Sequence, residues 1–167
     1  MGKSTSGEVK RAGQKTENGS MEYRCILCPT DGSELSQKSG DIAAYLSKLS
    51  GARLILLHVM QKWHHYRSDL LITDSAEWEA IHKDWLKEGQ ELLDMEESRL
   101  RKKGSGYIKQ ELKDGEAAYE IVTVAHEQHA DLIVMATHRA SLIEKLFSDS
   151  ISYHVTKNTP CPILWVY

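Results

Sequence analysis

Arg53-Leu54-Ile55-Leu56-Leu57-His58-Val59 is the stretch that decides the fold. Successive side chains of a strand point to opposite faces, so a strand with one wet face alternates apolar and polar residues. Here the apolar residues follow one another without alternation, as in a strand buried on both faces of a parallel sheet. Residues 24–29 (RCILCP) and 131–137 (DLIVMAT) read the same way, and residues 163–167 (ILWVY) make a last apolar strand. Residues 107–112 alternate instead, which predicts a strand nearer the sheet edge.

Helical periodicity fills the spaces between these strands. Residues 33–50 predict a helix with Ile42, Leu46 and Leu49 on one face and Gly51 as its stop. Residues 74–103 predict a long helix, opened by an Asp74/Glu77 capping box and carrying Trp78, Ile81, Trp85, Leu92 and Met95 at helical spacing. Trp78 and Trp85 are expected to pack on the core or on a partner subunit. Residues 116–128 follow the amphipathic template through Ala118, Ile121, Val122 and Ala125. A short helical patch at 142–147 and a helix at about 150–157 precede the last strand. Five strands alternating with helices predict a single doubly wound α/β domain with helices on both faces of a parallel sheet. Ligands of such sheets bind beyond the carboxyl ends of the strands, where strand order reverses.

The chain has 167 residues, 41% of them hydrophobic and 27% charged, with a formal net charge of -3. That balance gives no basic footprint for nucleic acid. No apolar run is long enough to span a membrane, and no signal-peptide core is present, so a cytoplasmic protein is expected. Residues 1–20 are polar with little to bury and are expected to form a flexible tail, leaving 21–167 as the domain. Gly2-Lys3-Ser4-Thr5 looks like the end of a P-loop but lacks the preceding strand and first glycine. Three cysteines without a secretion signal suggest reduced thiols. Cys25 and Cys28 have a metal-like spacing, but three steps along a strand put them on opposite faces, so they are expected to be buried structural thiols.

The segments Ile26-Leu27-Cys28-Pro29-Thr30-Asp31-Gly32-Ser33, Leu54-Ile55-Leu56-Leu57-His58-Val59, residues 115–137, and Thr159-Pro160-Cys161-Pro162-Ile163-Leu164-Trp165-Val166 together resemble the universal stress protein family. The resemblance covers nearly the whole chain from Tyr23 to Tyr167. It implies a five-stranded Rossmann-like parallel sheet in the order 3-2-1-4-5, with the switch point between the first and fourth strands. It also implies a homodimer, often made by antiparallel pairing of the last strands. Residues 163–167 suit that role, since an apolar edge strand is a template for pairing and two-fold symmetry would cover it.

Nucleotide-binding members of that family carry three glycines after the fourth strand, the last followed by Ser or Thr. Glycines let backbone approach phosphates, and the following helix start attracts anions. The matching positions here are Arg139, Leu142 and Asp149, then Ser150. Asp149 can cap the helix itself, worth about 0.5–2 kcal/mol. It would also repel a phosphate by roughly 1–4 kcal/mol per charge pair at about 4 Å. Arg139 offsets part of this. The adenosine half is better kept: by resemblance Pro29, Thr30, Asp31 and Val59 lie near base and ribose. By the same resemblance Met135, Ala136 and His138 match the lip of the fourth strand, and Arg139, Ser150 and Ile151 are the candidate binding residues beyond it. Asp31 also reads as a plain turn residue.

The resemblance therefore implies a homodimeric stress-response or signalling protein of the branch that lacks ATP binding. On that reading it has no resident cofactor, is not an enzyme, and acts through an unidentified protein partner. The alternative is an adenine-nucleotide binder, AMP suiting it better than ATP, with Mg²⁺ and slow hydrolysis at most. His58, His64 and His65 cluster without the spacing of a known metal site, and no G-x-S-x-G nucleophile elbow is present.

Overall fold

A computed structural model describes residues 23–60, 75–137 and 150–167, with only the backbone described for 75–78. In chain order the elements are β1 (Cys25–Pro29), α1 (Glu34–Ser50), β2 (Arg53–Met60), α2 (Ser75–Lys102), β3 (Ile108–Asp114), α3 (Ala117–Glu127), β4 (Leu132–Ala136), α4 (Ile151–Asn158) and β5 (Ile163–Val166). The five strands form one sheet in the order β3-β2-β1-β4-β5, every pairing parallel. No helix among the described residues is long and apolar enough to cross a membrane.

Two cores lie on the two faces of the sheet. Ile26, Cys28, Leu54 and Leu56 pack under Ala43 of α1 and Leu93 and Leu100 of α2. Leu27, Ile55, Leu57 and Ile133 pack under Ile121 of α3 and Val155 of α4. The unbroken apolar runs are thus explained by both faces being covered. Cys25 belongs to the second core and Cys28 to the first, so the strand does separate the two thiols. Burial pushes the Cys28 thiol up to about 12. Because the thiolate is the reacting form, native protein at pH 8 is expected to leave Cys28 unmodified by a disulfide reagent. Rapid labelling of Cys28 before unfolding would contradict this.

Local chemistry sets the helix limits. Ser33 caps α1 by accepting from the Ser36 N–H at 3.2 Å, and Gly51 ends it with φ 73°, the left-handed conformation glycine adopts without strain. Glu116 caps α3 through the N–H groups of Ala118 and Tyr119. The Asp131 carboxylate accepts from the N–H groups of Arg24 and Cys25, at 2.7 and 2.8 Å, and so ties the start of β1 to β4.

Three expected packing faces are corrected. Ile42 and Leu49 of α1 are 37% and 66% exposed, while Ser36, Ser39, Gly40, Ala43, Ala44 and Ser47 face the sheet. Small residues let α1 lie close to the strands, and that geometry outranks the stripe of larger side chains. Met95 of α2 is 68% exposed; Leu93, Glu96 and Leu100 are buried instead. On α3 Val122 is only half-buried and Val124 is in the core. The Asp74/Glu77 capping box, the Trp78 side chain and the 142–147 patch lie outside the described residues, as does the tail.

Candidate functional site

β1 is neighbour to β2 on one side and β4 on the other, so the chain's strand order reverses between β1 and β4. A cavity of about 680 Å³ opens there, beyond the carboxyl ends of β1, β2 and β4. Its floor begins where β1 stops. Thr30 donates its N–H to the Leu57 carbonyl at 2.8 Å, the last link of β1 to β2. The chain then turns through Gly32, whose φ of 78° glycine tolerates. The Thr30 hydroxyl accepts from Gly32 N–H at 3.2 Å and bonds the Ser36 hydroxyl at 3.1 Å. Asp31 accepts from Ser33 N–H at 3.0 Å. Burial would raise the Asp31 carboxyl, but hydrogen bonds from Ser33 and Ser36 outweigh it and hold the pKa below the ordinary value. Asp31 is therefore a turn-former and an ionised group at the cavity wall at once.

β2 runs past β1 by three residues, since Pro29 pairs with Leu57 and β2 continues through His58 and Val59 to Met60. In a parallel strand alternate residues direct N–H and C=O to the same side. Leu57 offers its carbonyl toward β1. Val59, two residues on, therefore directs its own N–H and C=O to that side, beyond the end of β1 and toward the cavity. His58 is fixed by its Nδ1, which donates to the Thr30 carbonyl at 2.8 Å.

The far wall is the end of β4 and the start of α4. Ser150 caps α4 by accepting from Tyr153 N–H at 3.2 Å, and the Thr137 and Ser152 hydroxyls bond at 2.9 Å, locking β4 to α4. The roof is the middle of α2, which contributes Trp85, Glu88, Gly89 and Leu92.

Of the residues expected to form the site, Pro29, Thr30, Asp31, Val59, Met135, Ala136, Ser150 and Ile151 all line this cavity. His138 and Arg139 lie outside the described residues, as do Leu142, Asp149, His64 and His65. Sequence reasoning missed the α2 roof. Trp85 was visible as a large apolar residue on a helix but carried no sign of facing a cavity, and Glu88 carried none. The charged groups among the described lining residues are Asp31 and Glu88, with no lysine or arginine among them. No group of three metal-ligating side chains exists among the described residues.

A 3-2-1-4-5 parallel sheet with a cavity at its switch point defines a Rossmann-like α/β domain, with its cavity where such folds place ligands. The family model described as "Universal stress protein family" matches residues 22–166, and the chain belongs to that family. Universal stress protein MJ0531 of Methanocaldococcus jannaschii is 31% identical over 149 residues, which is 89% of this chain and 85% of that protein. The solved structure of MJ0577 from the same organism is 26% identical, superposes with a TM-score of 0.68, and is covered to 96% by 87% of this chain. The universal stress protein of Archaeoglobus fulgidus, solved in complex with dAMP, is similar in fold at 20% identity and a TM-score of 0.62, over 88% of this chain and the whole of that one. The family's three-glycine loop has the pattern G-x2-G-x9-G-[ST]. Between Leu142 and Asp149 this chain has six residues, so matching Asp149 to the last glycine assumes a loop shortened by three.

Proposed function

We propose that this chain is a stress-response protein that binds an adenine nucleotide of few phosphates, AMP before ATP, and works by binding rather than catalysis. The observation that carries the reading is the Val59 backbone at the cavity. A donor and an acceptor side by side on one strand match the ring nitrogen and amino group on adenine's pairing edge. A cavity of about 680 Å³ lies within the ordinary range for small-molecule sites. The dAMP complex of the Archaeoglobus fulgidus relative supports a monophosphate. Asp31 and Glu88 add negative potential and no described cation offsets it, which disfavours each added phosphate. Leu142 and Asp149 in place of glycines act in the same direction, and Arg139 offsets only part of it. The protein acts as a homodimer in the cytoplasm, joined through β5, and passes its ligand state to a protein partner.

Calorimetric titration of the full chain tests this. AMP is expected to bind with Kd of about 10–100 µM, near -6 kcal/mol. ATP, with or without Mg²⁺, is expected to bind at least about tenfold more weakly. ATP binding below about 10 µM sinks the reading. The triple variant Arg139→Gly/Leu142→Gly/Asp149→Gly is expected to tighten ATP by about tenfold or more.

A further inference from the structure

The α2 roof has a fixed relation to β2. A Cβ on Gly89 would stand 2.8 Å from Leu112 Cδ1, 3.3 Å from Met60 Sδ and 3.4 Å from His58 Cδ2. Gly89 is therefore the point where the helix rests on the ends of β2 and β3. Only the missing side chain permits that approach. Trp85 and Glu88, four residues and one residue before Gly89, lie on the cavity side of this contact. They stand at the β2 end of the cavity, the end at which Val59 presents its N–H and C=O.

We propose that Trp85 and Glu88 are the base-reading side chains of the pocket: the Trp85 ring stacks on the base, and the Glu88 carboxylate accepts from an exocyclic amino group. The proposal rests on the nucleotide reading of the site. An aromatic face offers stacking to any base and so gives affinity without choice. Glu88 adds to the choice that the Val59 backbone makes. An ionised carboxylate accepts only. It rewards a purine that presents an amino group at this edge and rejects one that presents a carbonyl oxygen. Adenine and hypoxanthine differ in that substitution at position 6, and their ring nitrogens differ in donor sense. The wall therefore selects 6-aminopurine over 6-oxopurine.

AMP and IMP are the probes, titrated into full-length wild type, Trp85→Phe, Trp85→Ala and Glu88→Gln. Wild type is expected to prefer AMP. Trp85→Ala is expected to weaken both ligands in parallel by about 5- to 100-fold, and Trp85→Phe to recover most of that. Glu88→Gln offers a donor as well as an acceptor, so it is expected to shrink the AMP/IMP ratio by about fivefold or more while its Tm stays at the wild-type value. A purely structural role for Glu88 would not move that ratio. Glu88 is exposed, so its variant remains a test even where Trp85→Ala fails to fold. AMP binding in wild type that both Trp85→Phe/Ala and Glu88→Gln leave unchanged overturns this inference and spares the nucleotide reading. Absence of AMP binding in wild type overturns both.

Discussion

Replacing Arg99 with alanine is expected to lower stability by about 3–5 kcal/mol, the cost of stranding a buried carboxylate. Arg99 sits where α2 crosses α1. Its guanidinium donates to Glu96 at 2.8 and 3.1 Å, to the Gln37 carbonyl at 3.1 Å, and to the Asp41 carboxylate. Glu96 is 5% exposed. Gly40 makes room for this arrangement, since a Cβ there would stand 3.1 Å from an Arg99 nitrogen. In a chain of this size each kcal/mol shifts Tm by about 2–4 °C, so thermal unfolding at pH 7 should show a fall of roughly 6–20 °C. Arg99→Ala combined with Glu96→Ala should recover a large share, because no unpaired charge is left. A single-variant loss under about 3 °C would show that the clamp is dispensable. Acid acts on the same contact through Asp41. Burial raises its carboxyl, but Lys103 and Arg99 hold it below its ordinary 3.8. A depressed carboxyl contributes stability above its unfolded pKa and loses it as pH falls through the lower folded value. The clamp should therefore weaken below about pH 4 and hold constant above it.

The same helix shows what the sequence could and could not convey. The parallel sheet covered on both faces was legible, because a strand buried on two sides is apolar along its length, while the strand order came from the family resemblance. Cys25 and Cys28 were separable for the same reason. Helix faces were harder. On α1 the stripe Ile42-Leu46-Leu49 has the right period, yet the buried face is made of serine, glycine and alanine, chosen for close approach rather than for apolar area. On α2 a charged pair, Glu96 and Arg99, sits on the packed side of the helix, and Met95 points outward. The strand ends of the site were legible from turn chemistry and family likeness. The roof was not, because Trp85 and Glu88 reach the cavity through the Gly89 contact with Leu112, a tertiary fact with no local signature.

Leu164→Asp is expected to convert a two-chain particle into a one-chain particle in light scattering at micromolar concentration. The two sheet edges are built differently. β3 carries Lys109, Glu111 and Lys113, with Lys109 paired to Glu111 and Lys113 to Glu127, the usual protection of an exposed edge. β5 is Ile163-Leu164-Trp165-Val166, with no charge, and Leu164 is 38% exposed. Antiparallel pairing of β5 with its own copy about a two-fold axis satisfies both open edges at once. An aspartate at 164 then meets its counterpart near the axis, and like charges in an interface cost several kcal/mol, about 10²-fold or more in Kd. The fold should tolerate the change, since Leu164 is already partly in water. The pairing also fixes how the two cavities stand. Strands of the two copies run in opposite directions, so the cavities open at opposite ends of the joined sheet and neither borrows a residue from the other. AMP affinity of Leu164→Asp should accordingly stay within about twofold of wild type, below the 1.4 kcal/mol that a tenfold change requires. A variant that remains dimeric moves the interface off β5, and the exposed Ile42-Tyr45-Leu49 stripe of α1 becomes the surface to charge next.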